Sequence, residues 1–281
     1  MQAVYNVMDA ILPFAIFKQT FMKDALLALL LLTPLLALLG TMAVNKRMAF
    51  FSDALGHSAL AGVGIGTLLG VTNVTLILVV FGICSALLIT WINRRGSESA
   101  DTTISVFSSA GIALGLLLLA SGSKYNRYLV GEIMLIEPTD ILLLAAALCV
   151  TLVLWAFLYN QLLLTAINPQ LAQSRGIRVK AVEYGFVILV AVAVMLSIRI
   201  VGVLLINALL ILPAAAARNI ARSAAQHALL SVLISLFSGV AGLCLTVPLH
   251  ASVGVAVVLV AAVCYALCLL LARLLRVRLQ A

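Results

Sequence analysis

The sequence predicts an all-α, polytopic integral membrane protein with about eight to nine transmembrane helices and one short helix outside the bilayer. Three observations predict it. Of the 281 residues, 65% are hydrophobic and only 9% are charged, with a mean hydropathy of +1.26; a soluble domain has too little interior to hide that much apolar surface. Apolar runs of about 20 residues, the length that crosses a bilayer core, recur along the chain. The basic residues gather in the breaks between those runs.

Taken in order, residues 1–22 carry an apolar pattern interrupted by Pro13 and read as a segment lying along the membrane surface. They lack the base-led start of a secretory leader. Span cores follow at 25–44, 51–69, 73–92, 103–121, 140–160, 184–198, 199–217, 228–247 and 252–272. The pair around 184–217 is parted only by "SIRIVG", so the count turns on that stretch. No soluble domain is inserted, and residues 1–281 read as one transmembrane domain.

Charge gives the orientation. If the first span runs inward, Lys46, Arg47, Arg94, Arg95, Arg175, Arg178, Lys180, Arg218, Arg222, Arg273, Arg276 and Arg278 all fall in the cytoplasm, 12 of the 17 bases. The positive-inside rule then places the C-terminus in the cytoplasm. The net charge of +8 and pI near 9.6 would suggest nucleic acid in a soluble protein. Here no basic patch is interleaved with aromatic residues for stacking, so nucleic acid is not expected as a partner. A G-x-x-x-x-G-K-[ST] phosphate loop is absent, so the chain is not expected to hydrolyse ATP by that route; it reads as a transport subunit rather than an enzyme, with any ATP-driven motor on another polypeptide. The five cysteines all lie in apolar runs and read as small buried hydrophobes.

The chemistry concentrates in "SDALGHSALAG", residues 52–62. Asp53 and His57 are four apart, so on a helix they share one face. A carboxylate in a span costs several kcal/mol, and such groups face a cavity or a partner. Pairing of Asp53 with Lys46 or Arg47 would be a structural reason for it. Small residues around the pair favour a functional one: a carboxylate oxygen and an imidazole nitrogen suit a divalent ion such as zinc or manganese. Two ligands are too few for a tight site, but a symmetric homodimer would bring four together, which zinc accepts tetrahedrally.

Three further features are weighed beside it. In "TAINPQLAQSRGIRVKAVEYG", residues 165–185, Asn168 suits a helix cap, Pro169 its first position and Gly176 the residue past its end. A short cytoplasmic helix over about 169–175 is expected, and it offers a soluble partner a firm lever. In "VGVLLINALLILPAAAARNIA", Asn207 is polar amid Leu and Ile, a candidate for pathway lining or for interhelical packing, and Pro213 predicts a kink. His250 sits in an outer turn where an incoming metal would pass, His227 reads as solvated near a cytoplasmic loop, and Glu132, Glu137 and Asp140 form an acidic outer segment.

Together "NKRMAFFSDALGHSALAGVGIG", "YLVGEIMLIEPTD", "NPQLAQSRGI" and "VGVLLINALLILPAAAAR" resemble the membrane permease of ATP-binding-cassette importers for zinc, manganese and iron(II), from about residue 20 to the C-terminus. The resemblance implies a permease of the bacterial inner membrane that dimerises with a second copy of itself. It sits on a dimer of separate ATPases and receives a divalent metal from an extracytoplasmic solute-binding protein. It holds no permanent cofactor, the metal being cargo. It places Asp53 and His57 on the metal pathway and makes Asn168, Pro169, Gln170, Leu171, Ala172, Arg175 and Gly176 the ATPase-coupling segment. One departure is "VPLHASVG" before the last span, where relatives carry a Pro-small-Gly pattern; it leaves the outer mouth and His250 unassigned. The competing readings are a secondary, ion-coupled cation transporter, which would need titratable groups along its spans, and a non-transporting scaffold subunit.

Overall fold

A computed structural model describes residues 20–71, 73–95, 100–119 and 136–280. Among these the regular structure is helical: α1 (Thr20–Asn45), α2 (Phe51–Leu68), α3 (Val74–Arg95), α4 (Ala100–Leu119), α5 (Pro138–Ile167), α6 (Pro169–Ser174), α7 (Val179–Ile220), α8 (Ala224–Leu249) and α9 (Val253–Gln280). The surface segment expected before residue 20 lies outside the described residues, as do Glu132 and most of "YLVGEIMLIEPTD".

Seven of the described helices are long and apolar enough to cross a membrane: α1, α3, α4, α5, α7, α8 and α9. The eighth expected span, α2, is diluted by Asp53, His57 and four glycines. The ninth is folded into α7, whose 42 residues would reach about 63 Å as one straight helix, twice the bilayer core. The chain does not run straight. Gly202, inside the "SIRIVG" stretch, has φ 79° and ψ 165°, a conformation open to glycine, and it breaks α7 into 179–201 and 203–220. Each piece matches one crossing. Pro213 keeps helical backbone angles, so the break falls at the glycine and not at the proline.

The chain divides into two compact units. The first includes most of α1, the start of α5, the end of α7, α8 and α9. Small residues recur every fourth position along one stripe of α8. Ser231 donates to the Ala37 carbonyl (3.2 Å), Ser235 donates to the Thr33 carbonyl (3.1 Å), and Gly239 lies against the Thr33 side chain. Such stripes allow close helix approach where lipid offers no hydrophobic drive to associate. In the same unit, Gly40 of α1 lies directly under the Leu210 carbonyl of α7, with Ala214 beside it.

The second unit surrounds α2 with α3, α4 and the first part of α7. Gly62 and Gly66 admit Phe81 and Ile77 of α3, while Gly111 and Gly115 of α4 let Ser58 and Leu60 press in. Helix ends predicted to share the cytoplasmic side do meet: Arg94 pairs with Glu183 at 3.4 Å, and Lys46 donates to Thr165 at 3.4 Å. At the other end of α3, Arg199 donates to Thr75 at 3.2 Å. Outward faces carry apolar side chains such as Leu117 (74% exposed) and Phe157 (76%), which suits contact with lipid rather than water.

Candidate metal-pathway site

The turn into α2 is tight. α1 closes with paired bonds, Met48 N–H to the Ala43 carbonyl (2.9 Å) and Arg47 N–H to the Val44 carbonyl (3.2 Å), with Arg47 left-handed at φ 58°. α2 begins three residues later, and Asp53 therefore falls in its first turn. The free N–H groups and positive dipole end of a helix favour a carboxylate there. His57, one turn on, turns its Nε2 to 3.4 Å from Asp53 Oδ1, and the two side chains stay 39% and 41% exposed in the single chain. Around them 13 of the 18 residues of α2 are buried.

Asn207 joins them. Its Nδ2 donates to Asp53 Oδ1 at 2.6 Å, across 154 positions of sequence. Its own Oδ1 is buried with no hydrogen-bond partner among the described residues. Thus one pathway candidate is brought to the Asp53/His57 pair. Neither Lys46 nor Arg47 neutralises Asp53: Lys46 reaches Thr165 instead. Burial drives the Lys46 ammonium below its usual pKa, Glu183 opposes that shift, and Arg94 adds to it. Among the described residues no third His, Cys, Asp or Glu completes a metal-binding group. Pro213 is a buried residue of the α7 interior. His250 is an exposed, left-handed cap at the end of α8 and joins no such group.

Two expectations outside the pair change. His227 is not solvated: it is 6% exposed, and its Nε2 lies 2.9 Å from the Ala214 carbonyl. It extends the Ser231–Ser235–Gly239 stripe of α8 by one turn, a pattern visible in the sequence once the stripe is known. Asp140, read as part of an acidic outer display, is buried at the start of α5 and accepts from the Glu137 backbone N–H at 3.2 Å.

The capped loop forms as its residues dictate. Asn168 Oδ1 accepts from Leu171 N–H (3.0 Å), and Pro169 occupies the first turn of α6. Gly176 is left-handed at φ 77° and closes the helix with two bonds, Gly176 N–H to Gln173 (2.9 Å) and Ile177 N–H to Ala172 (3.0 Å). Ala172 is buried and anchors the helix, while Gln170, Leu171 and Arg175 face outward. Beside it Leu158, Gln161, Ile177, Arg178, Ala181 and Val182 line a groove of about 430 Å3.

Seven bilayer-length helices, a carboxylate–imidazole pair on α2 and a short capped helix between α5 and α7 fit a multi-pass membrane permease. The chain belongs to the ABC 3 transport family, whose model matches residues 18–272. It is 32% identical over 249 residues to the high-affinity zinc uptake system membrane protein ZnuB of Haemophilus influenzae, covering 87% of this chain and 95% of that protein. It is 31% identical over 246 residues to the manganese import system permease protein ScaB of Streptococcus parasanguinis, with 86% and 88% covered. Among solved structures it resembles a chain of PsaBC from Streptococcus pneumoniae in complex with Fab, with a TM-score of 0.79, 26% identity and 95% of both chains covered.

Proposed function

We propose that the chain is the permease subunit of an ATP-driven importer of divalent transition-metal ions, zinc, manganese or iron(II), and that residues 1–281 act as one transmembrane permease domain. The observation that carries this reading is the Asp53–His57 pair, 3.4 Å apart and part open in the first turns of α2. The names of the zinc and manganese relatives support the cargo class. In a homodimer the two pairs together supply two oxygens and two nitrogens, a set that binds a stripped transition ion yet parts when the copies move.

The way α6 is tied in supports a mechanism of alternating access. Thr165 and Glu183 flank the segment that carries α6. Thr165 accepts from Lys46 at 3.4 Å, and Glu183 acts electrostatically on the same ammonium. Lys46 stands one short turn ahead of α2, so a push on α6 by a docked ATPase dimer reaches the helix that holds Asp53 and His57. A binding protein loads the opposite face, and the ion leaves to the cytoplasm, where the basic helix ends and the C-terminus lie. Trp91 under the Arg95 guanidinium, 4.5 Å from its ring centre, suits an interfacial anchor on that side.

Replacing Asp53 or His57 with Ala should abolish ATP-dependent metal uptake while the protein remains in the membrane. Undiminished uptake by both variants would sink the assignment. Uptake that collapses with the proton gradient and ignores ATP would replace it with an ion-coupled carrier.

A further inference from the structure

We propose that Asn207 is a positioning residue of the metal station, holding Asp53 so that its carboxylate meets the ion through one oxygen. The proposal rests on the reading of Asp53 and His57 as the metal pair. Asn207 Nδ2 donates to Asp53 Oδ1 at 2.6 Å. The reverse amide orientation would set two oxygens face to face. The same Oδ1 lies 3.4 Å from His57 Nε2. Asn207 thus engages the carboxylate oxygen that faces His57, and Oδ2 has no hydrogen-bond partner among the described residues.

The other end of the amide says why an Asn stands there. Its Oδ1 is buried and unpartnered among the described residues, a position that costs stability. An asparagine kept only to join two helices would satisfy both ends, and an apolar side chain such as leucine, with the same branched shape, would leave no buried oxygen unpaired. The amide is explained by what its N–H group does to Asp53. Partners that orient metal ligands in this way typically govern affinity by roughly 10- to 100-fold. One-oxygen binding also discriminates. Four-coordinate transition ions accept it, whereas calcium gathers six to eight oxygens and readily takes a carboxylate by both.

The test uses the purified full-length permease in lipid nanodiscs, titrated with Co2+ as a spectroscopic probe and with Ca2+ as competitor. Asn207→Leu is expected to bind Co2+ roughly 10- to 100-fold more weakly, to shift the visible spectrum of the Co2+ that still binds, and to let Ca2+ compete. Asn207→Gln, which keeps the donor, is expected to recover part of the affinity and the spectrum. Wild-type affinity and spectrum in Asn207→Leu, with binding lost in Asp53→Ala, would overturn the positioning role and leave the metal pair standing. Fewer sites with an unshifted spectrum and no recovery in Asn207→Gln would mark Asn207 as purely structural and also overturn it. Unchanged binding in Asp53→Ala would remove the underlying reading, and the proposal with it.

Discussion

Lys46 at the end of α1 donates to Thr165 at the end of α5, 3.4 Å away and 119 positions on. Arg94 and Glu183 close the same corner at 3.4 Å. This corner ties the segment bearing α6 to the turn that leads into α2. Lys46→Met and Thr165→Val should each slow ATP-dependent uptake without changing metal affinity. A double-mutant cycle on thermal unfolding should give a coupling of about 1 kcal/mol, the usual net worth of one such bond. Additive effects would mean the two residues do not work as a pair.

The same lysine gives a pH dependence with a defined sign. Burial lowers its pKa in the folded protein, while the unfolded chain titrates near 10.5. Between the lowered value and 10.5 the unfolded state holds the extra proton, so stability contributed by this site rises with pH across that window. Below the folded pKa the cost of burying the charge is fully present. Thermal melts from neutral pH upward should show the wild type gaining on Lys46→Met as pH rises, and a constant difference would contradict the buried charge.

Close backbone approach at Gly40 predicts a steep packing penalty. A β-carbon there would overlap the Leu210 carbonyl, with its carbon at 2.8 Å. Gly40→Ala should cost about 1–3 kcal/mol, the range for overpacking, read as a lowered melting temperature in detergent. Gly185 is the matched control, a helical glycine with nothing within 4 Å of the place an alanine methyl would take. Gly185→Ala should be neutral or gain about 0.5–1 kcal/mol.

The caps of α6 should matter for coupling rather than for binding. Asn168→Ala removes the acceptor for Leu171 N–H and should cost about 1 kcal/mol locally. Gly176→Ala forces a side chain into φ 77°, a strain of about 1–2 kcal/mol. Both variants should hydrolyse ATP with the assembled transporter yet import less metal per ATP. Leu171→Asp, at a side chain 42% exposed on the outward face, should weaken capture of the ATPase in a pull-down. Full coupling in all three would remove α6 from the drive train.

What could be read from the sequence alone were the properties that neighbours along the chain decide. Hydropathy placed a span core on each long helix, with the ends of α5 and α9 falling short by seven and eight residues, because crossing a bilayer demands about 20 apolar positions in a row and says little of where the helix stops. Asn168, Pro169 and Gly176 announced α6, because caps act on N–H and carbonyl groups only a turn away. The four-residue spacing alone put Asp53 and His57 on one face, and Gly202 stood inside the stretch where two spans had to part. Tertiary structure decided the rest. It brought Asn207 across 154 positions to Asp53, withdrew His227 and Asp140 from solvent, and took Lys46 away from Asp53 toward Thr165. Those outcomes depend on which small residues let which helices touch, at Gly40 under Leu210 or at Ser231 and Ser235 against α1. A single strand of sequence carries the small residues, but their partners are set only when the helices pack.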